Sequence, residues 1–308
     1  MNIKKLSKGS LMKLHNSIVN LAFTATAILL FCSNAYPAEF IYPSVESNIP
    51  ARGTLSTLPY RSSDHKIAYG LDPLQFGELW LPTTQNQLGL LILVHGGCWS
   101  NIGRINSLHA ASAALSQAGF AVWSIEYRAS EDSGGGWPGT YEDVISAINF
   151  VDQLSNYGVS IEDISLIGHS AGGHLVTLAG TEHDEFDVKI DKVISLAGIN
   201  KVVEYADGAS ADGSIMELCQ NLLTQFVGGT IEQHPSIYEA IDPARKDIHP
   251  QTYLFVSELD DVVPVTQGSL GGAETIFVEG AGHSDYGHPG TLASVSYTHL
   301  TLPTKRIV

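Results

Sequence analysis

The fold of this chain is decided by the stretch Leu166-Ile167-Gly168-His169-Ser170-Ala171-Gly172-Gly173-His174. An apolar run, residues 164–167, leads to a serine between two glycines, and residues 171–181 then have the composition of a helix. The pattern G-x-S-x-G is typical of a strand, a sharp turn and a helix that together expose a serine hydroxyl. The helix N-terminus beneath that hydroxyl favours a developing anion. The stretch therefore predicts a reactive Ser170.

A glycine-flanked serine is also common in ordinary turns, so the prediction depends on partners elsewhere in the chain. A serine needs a general base within hydrogen-bond reach and a carboxylate that orients the base, and on such a turn the chain order is serine, acid, histidine. Two later apolar runs, residues 252–256 and 275–278, are followed by Asp260 and His283. We predict Ser170 as nucleophile, His283 as general base and Asp260 as orienting acid, with the adjacent Asp261 as the alternative acid.

A third component is predicted after the apolar run at residues 90–94, where the sequence continues His95-Gly96-Gly97-Cys98-Trp99. Attack on a carbonyl places charge on its oxygen, and backbone amides can stabilise that charge. Glycines let the backbone approach the substrate. The amides of Gly96, Gly97 and Ala171 are the predicted donors. We expect His95 to brace this loop rather than to react.

Two further side chains are predicted at the substrate pocket, Trp99 and His169. Packing of the loop is the alternative for Trp99. Packing or helix capping is the alternative for His169, and equally for His174. His283, Asp285 and His288 could be taken for a metal cluster, but their glycine-rich loop lacks the usual framework of metal ligands, and we predict no metal and no cofactor.

Strand patterns alternate with helix patterns along the chain, which predicts an α/β fold with a mostly parallel central sheet flanked by helices. Helices are expected at residues 106–118 and 141–154. Residues 38–74 are rich in proline and polar residues, which predicts an extended lead-in on the surface. Residues 198–250 break the rhythm and predict either a small insertion over the site or a merely structural pair of helices.

The 308 residues, 44% hydrophobic and 16% charged, suit one large catalytic domain at residues 36–294. Residues 1–35 have a basic start, an apolar middle and a small-residue end, which predicts a secretory signal peptide and a secreted or periplasmic protein. A membrane anchor is the alternative, but the apolar run is short for a bilayer span, so we expect no stable anchor after cleavage.

Removal of residues 1–35 removes four lysines and no acids, so the net charge falls from −16 to −20. Such a surface argues against nucleic-acid partners and against anionic membranes. Cys98 and Cys219 then remain, and whether they pair is left open. The sequence does not determine the oligomeric state.

Taken together, the motifs resemble the α/β-hydrolase superfamily, and within it the esterase/lipase branch of feruloyl-esterase-like proteins, hormone-sensitive-lipase-like esterases and kynurenine formamidases. The resemblance rests on His95-Gly96-Gly97-Cys98-Trp99, Tyr127-Arg128, the Ser170 stretch, Asp260 with Val263-Pro264, and Gly280-Ala281-Gly282-His283. It places the acid at Asp260 and implies a carboxylesterase that acts on small esters through an acyl-enzyme. Alternatives are a formamidase or a peptidase with the same residues, or a non-catalytic hydrolase fold used for binding. Ser257 stands where the family often has glycine.

Members of this branch normally continue past the histidine loop into a closing helix. Here residues 295–308 look like translated sequencing-adapter DNA, and we predict that this tail is not native and that the natural C-terminus is missing. The segment is then expected to lack apolar packing.

Overall fold

The computed structural model describes residues 40–45 and 54–301, and within them eight strands form one sheet. The order across the sheet is β1-β2-β4-β3-β5-β6-β7-β8. Strand β2 is antiparallel to β1 and β4, and the other neighbours are parallel. The strands are β1 (His65–Ala68), β2 (Phe76–Trp80), β3 (Leu90–Val94), β4 (Ala121–Ile125), β5 (Ile164–His169), β6 (Ile190–Leu196), β7 (Thr252–Val256) and β8 (Glu274–Phe277). The predicted α/β fold with a mostly parallel sheet is confirmed.

The central strands are largely apolar because both faces of the sheet are covered. Every residue of β3 and of β4 is buried. Successive side chains of a strand point to opposite faces. Leu90, Ile92 and Val94 accordingly enter one hydrophobic cluster, and Leu91 and Leu93 enter a second cluster on the other face. A parallel sheet between two layers needs this continuous apolar pattern rather than alternation.

The helices lie between and after the strands. They are α1 (His109–Gln117), α2 (Gly139–Asn149), α3 (Ala171–Gly180), α4 (Val202–Asp207), α5 (Ile215–Val227), α6 (Pro235–Ala240) and α7 (Leu292–Thr301). Short 3-10 helices occupy Leu55–Thr57, Ile105–Leu108, Phe150–Tyr157, His183–Glu185, Pro243–Arg245, Val265–Gly268 and Asp285–Gly287. Within residues 40–45 and 54–301, no helix combines the length and the apolarity that crossing a bilayer requires.

Three segments differ from the sequence-based expectations. The lead-in contains a strand, because residues 65–68 pair with β2 at the edge of the sheet. The helix expected over residues 141–154 ends at Asn149 and continues as a 3-10 helix. Residues 198–250, called the insertion below, form three α-helices and one 3-10 helix rather than a pair of helices. Edge strands and short helices carry weak periodicity, which explains why the sequence pattern missed them.

The expectation that residues 295–308 lack apolar packing is wrong for residues 295–301. They belong to α7, and the Tyr297 ring is 2% exposed within the second cluster. Its ring lies 6.4 Å from that of Phe255 in an edge-on contact. The Lys192 ammonium also donates to the carbonyl of Leu300 at 3.0 Å. The segment occupies the position of a closing helix, while the adapter origin of its sequence stays a prediction.

Several predictions made from the sequence fall outside the described residues. The signal peptide at residues 1–35 and the last seven positions, residues 302–308, are among them. The domain boundaries at 36 and 294 also stay predictions.

The parallel strands β3 to β8 all end on the same side of the sheet. The loops after β3, β5, β7 and β8, which carry the predicted site residues, therefore lie on that side. Val94 at the end of β3 pairs with Gly168 of β5, so the loop after β3 begins beside Ser170. Strands β7 and β8, which precede Asp260 and His283, follow β6 in the sheet order and end on the same side.

Candidate active site

Ser170 lies in the sharp turn between β5 and α3, with φ 56° and ψ −121°. This backbone conformation is rare for a residue with a side chain and needs support from its surroundings. The flanking glycines provide this support, because without side chains they let the neighbouring backbone segments pack closely around the turn. A Cβ on Gly168 would overlap the carbonyl oxygen of Gly172, and one on Gly172 would overlap the carbonyl of Val94. The glycines of the motif are therefore required by the contacts of α3 with β5 and with β3.

The three predicted partners form one continuous chain of hydrogen bonds. Nε2 of His283 lies 3.0 Å from Oγ of Ser170. Nδ1 of the same ring lies 3.0 and 2.9 Å from the two carboxylate oxygens of Asp260. Because the carboxylate only accepts, Nδ1 carries hydrogen and Nε2 is the free base that faces the serine hydroxyl. The arrangement can move a proton from Ser170 to His283.

Asp260 is held in its ionised form. Burial by itself would raise the pKa of this carboxyl, but the neighbouring His283 and the backbone amides of Val263 and Val262 lower it, and the net effect is a lowered pKa. These amides donate to Oδ1 at 2.8 and 2.9 Å. The alternative acid, Asp261, is exposed. His283 thus donates to the acid that the sequence favoured.

The loop at residues 95–99, called the glycine loop below, lies directly against Ser170. A Cβ on Gly96 would lie 2.9 Å from Cβ of Ser170 and 2.8 Å from the carbonyl oxygen of His169, closer than ordinary contacts allow. The following three residues, Gly97, Cys98 and Trp99, have φ values of 119°, 52° and 56°. The chain therefore turns tightly over Ser170, and the amides of Gly96, Gly97 and Ala171 all belong to the two turns that meet there.

His95 braces this loop from within, as the sequence indicated. Its Nδ1 donates to the carbonyl of Gly96 at 2.8 Å, and its Nε2 contacts Oε1 of Glu126 at 2.9 Å. The buried ring thus bridges the Gly96 carbonyl and the Glu126 carboxylate. Since a trans peptide is planar, fixing the Gly96 carbonyl on His95 turns the N–H of Gly97 to the opposite side.

Glu126 is the supporting residue that sequence reasoning missed. Burial would raise its pKa, but the interactions with His95 and the amides of Ile105 and Tyr127 lower it. The Tyr127 ring stacks on His95 with centroids 4.1 Å apart, and its hydroxyl donates to the His95 carbonyl at 2.9 Å. A carboxylate directly after the fully buried strand β4 was the available signal.

The prediction that Trp99 lines a substrate pocket is corrected by its burial. The ring is 0% exposed, stacks on Phe226 with centroids 5.2 Å apart, and donates from Nε1 to Nδ1 of His174 at 3.1 Å. It packs beneath the glycine loop. His174 in turn donates from Nε2 to the carbonyl of Ile241 at 2.8 Å, and burial lowers its pKa to about 4.

His169, the other predicted pocket residue, lies beside the base. Its Nε2 donates to the backbone carbonyl of His283 at 2.8 Å, and the two rings are 4.8 Å apart. Desolvation first, and then the proximity of His283, lowers the pKa of His169 to about 4. The neutral His169 ring holds the main chain of His283, and the ring itself remains partly exposed at the site.

The insertion is attached to the glycine loop by a disulfide between Cys98 and Cys219 of α5, with Cα atoms 5.3 Å apart. This answers the question of pairing that the sequence left open. In addition, Tyr205 of α4 donates to the carbonyl of Val262, next to the acid, at 3.1 Å. The insertion therefore contacts both the glycine loop and the loop that carries Asp260.

In the part of the chain that the structure describes, no group of three or more His, Cys, Asp or Glu side chains could hold a metal ion. Asp285, which the sequence placed near a conceivable metal cluster, accepts from the Gly282 amide at 3.0 Å. His288 accepts from the Gly290 amide at 3.1 Å.

The chain is similar in sequence to two mycobacterial proteins that are named as an esterase and a probable carboxylic ester hydrolase. Esterase LipC of Mycobacterium tuberculosis is 27% identical over 244 residues, which cover 73% of this chain and 58% of LipC. The probable carboxylic ester hydrolase LipM of the same organism is 29% identical over 120 residues, covering 36% of this chain and 27% of LipM. This chain thus spans little more than half of LipC and about a quarter of LipM.

Solved structures share the fold at lower identity. A truncated carbohydrate esterase from gut microbiota matches with a TM-score of 0.63 and 22% identity, covering 85% of this chain and 98% of that one. A bacterial heroin esterase matches with a TM-score of 0.61 and 21% identity, covering 80% and 84%. These neighbours support the α/β-hydrolase fold. The BD-FAE family model matches residues 78–271, which is more than half of the sequence. The chain therefore belongs to the BD-FAE family, in the esterase branch of the α/β-hydrolases.

Proposed function

We propose that this protein is a serine hydrolase that cleaves small carboxylic esters through an acyl-enzyme. The observation that carries the proposal is the hydrogen-bonded chain from Ser170 Oγ through His283 to Asp260, at 3.0 Å and 2.9 Å. The sequence relatives, an esterase and a probable carboxylic ester hydrolase, support the same chemistry.

In the first half-reaction, His283 takes the proton of Ser170 while Oγ attacks the ester carbonyl. Charge forms on the carbonyl oxygen, where the amides of Ala171, Gly96 and Gly97 are the donors that we assign. Collapse of the tetrahedral intermediate breaks the bond to the alcohol, which leaves with the proton from His283. The acyl group remains on Ser170.

In the second half-reaction, His283 takes a proton from water, and the resulting hydroxide attacks the acyl carbonyl. The carboxylic acid then leaves, and Ser170 regains its proton from His283. Asp260, with its lowered pKa, stays ionised and stabilises the imidazolium that forms in each half. The two steps need only these groups, the ester and water.

A small substrate is favoured by the limited access to the reacting groups. Ser170 is 2% exposed and His283 is 8% exposed. Gly96 lies against Ser170 and restricts the approach to Oγ from that side. We therefore assign esters with short acyl groups as the substrate class.

The test combines active-site labelling with substrate comparison. A fluorophosphonate probe is expected to label the wild-type protein and not Ser170→Ala, with both folded by circular dichroism. Hydrolysis of p-nitrophenyl acetate is expected to exceed that of N-formylaniline and of a p-nitroanilide peptide. Absence of labelling in folded wild type would instead favour a non-catalytic binding protein, and faster cleavage of N-formylaniline would favour a formamidase.

We also propose a secreted or periplasmic location, with residues 1–35 as the signal. The Cys98–Cys219 disulfide supports this proposal, because disulfides persist in oxidising compartments. Mass spectrometry of protein exported from a bacterial host is expected to give an N-terminus near residue 36. Retention of the complete N-terminus on exported protein would contradict the proposal.

A further inference from the structure

The disulfide joins two elements that the hydrolysis mechanism treats separately. Cys98 belongs to the glycine loop, whose amides we assign as oxyanion donors, and Cys219 belongs to α5 of the insertion. The two residues are 121 positions apart in the sequence. Both are buried, Cys219 completely. The covalent link therefore reaches the catalytic machinery and not only the periphery of the fold.

The conformation of the glycine loop requires external support. Three consecutive residues have positive φ, and two of them, Cys98 and Trp99, carry side chains that disfavour it. A residue held in such a region persists only where its surroundings determine it. Cys98 is held by its bond to Cys219, and Trp99 by its stacking on Phe226, so α5 provides both restraints.

Small movements of this loop reach the nucleophile directly. A Cβ on Gly96 would lie within 2.9 Å of Ser170, so the loop and the serine are already in close contact. Oxyanion donors act only at hydrogen-bond distance from the charge that develops, and a shift of about 1 Å removes much of their effect.

We propose that the Cys98–Cys219 disulfide is a positioning pair for the oxyanion site, which holds the glycine loop on Ser170 and thereby raises the rate of acyl transfer. This inference rests on the proposed hydrolase function. It predicts a catalytic consequence of the disulfide beyond the stabilisation that closing a long loop provides.

The test is the double variant Cys98→Ala/Cys219→Ala, which removes the link without leaving a free thiol. On p-nitrophenyl acetate, well below the melting temperature, kcat is expected to fall at least tenfold while KM stays within twofold. The rate of fluorophosphonate labelling is expected to fall in parallel. Val151→Ala serves as the control, because Val151 is a fully buried residue of the 3-10 helix Phe150–Tyr157. It should lower the melting temperature and leave kcat unchanged.

A second measurement applies if the double variant does not fold. Dithiothreitol transfers two electrons and two protons to the disulfide of wild type, which gives two thiols and a cyclic dithiothreitol disulfide. The inference expects kcat to fall in proportion to the thiols titrated while the circular dichroism spectrum is unchanged.

Two results overturn the inference while leaving the proposed function intact: a folded double variant with wild-type kcat, or reduced wild type with full activity. Inactive and unlabelled wild type would instead overturn the proposed function, and with it the basis of the inference.

Discussion

His283 is held by both carboxylate oxygens of Asp260, at 3.0 and 2.9 Å from Nδ1, while the neighbouring Asp261 is exposed. Two acids adjacent in the sequence thus have different environments. Asp260 also accepts from two backbone amides, which fixes the carboxylate and keeps it ionised. The difference between the two acids can be measured.

Asp260→Asn is expected to lower kcat by about 10³- to 10⁴-fold, because an amide cannot hold the imidazole in the required tautomer or stabilise its charge. Asp261→Asn is the matched control and should retain kcat within about twofold. Initial rates on p-nitrophenyl acetate check both variants. Equal losses in the two variants would remove Asp260 from the assigned role.

Gly96→Ala is expected to lower kcat by about 10²-fold. The added Cβ would lie 2.9 Å from Cβ of Ser170, so the loop or the serine must move away from the productive geometry. Gly271→Ala is the control, since a Cβ there meets nothing within 4 Å. Burst kinetics should show the loss in the acylation step. Wild-type kinetics in Gly96→Ala would contradict the placement of this loop against the nucleophile.

Glu126→Gln is expected to lower kcat roughly tenfold with little change in KM. The neutral amide interacts with His95 more weakly than the carboxylate does, so the ring holds the Gly96 carbonyl less firmly. Glu142→Gln, at an exposed position in the first turn of α2, provides the comparison. If KM rises and kcat does not change, the carboxylate acts on substrate binding instead.

The free energy of unfolding is expected to decrease as the pH falls from about 6.5 to about 4. His174 is buried and its pKa is lowered to about 4, so in this range the unfolded chain takes up a proton that the folded protein does not. His169 has the same direction of shift. For His174 the effect is about 3 kcal/mol over the whole range.

Urea unfolding at pH 7, 5.5 and 4.5 measures this dependence. His174→Gln keeps a hydrogen-bond donor and acceptor but does not titrate, and the pH dependence should be correspondingly weaker in this variant. An unchanged slope in His174→Gln would show that His174 is not a source of the acid sensitivity.

The central sheet and the order of the reacting residues could be predicted because each leaves a strong local pattern. Strand β3 has the predicted bounds, residues 90–94, since a fully buried parallel strand is a continuous apolar run. Ser170 and Asp260 follow the largely buried strands β5 and β7, and His283 follows the exposed edge strand β8; the topology brings all three to the same end of the sheet. Their hydrogen-bond contacts follow from that placement, while their roles stay predictions.

Features that depend on contacts between distant segments could not be predicted. The pairing of Cys98 with Cys219 and the support of His95 by Glu126 join residues 121 and 31 positions apart, for which no local pattern exists. The burial of Trp99 depends on the insertion, whose fold the sequence left open. The tail at residues 295–301 packs although its sequence suggested otherwise, because a helix with one buried aromatic ring needs little periodicity to dock.

His174 has a consequence for the redesign of specificity. One imidazole, on the helix that carries the nucleophile, accepts from Trp99 and donates to Ile241 at the end of the insertion. An insertion transplanted from another member of the family must therefore supply a carbonyl at the place of Ile241 and a cysteine at the place of Cys219. Chimeras built without these two groups would lose the alignment of the turn between β5 and α3 that carries Ser170, so the insertion and this turn are to be transferred together.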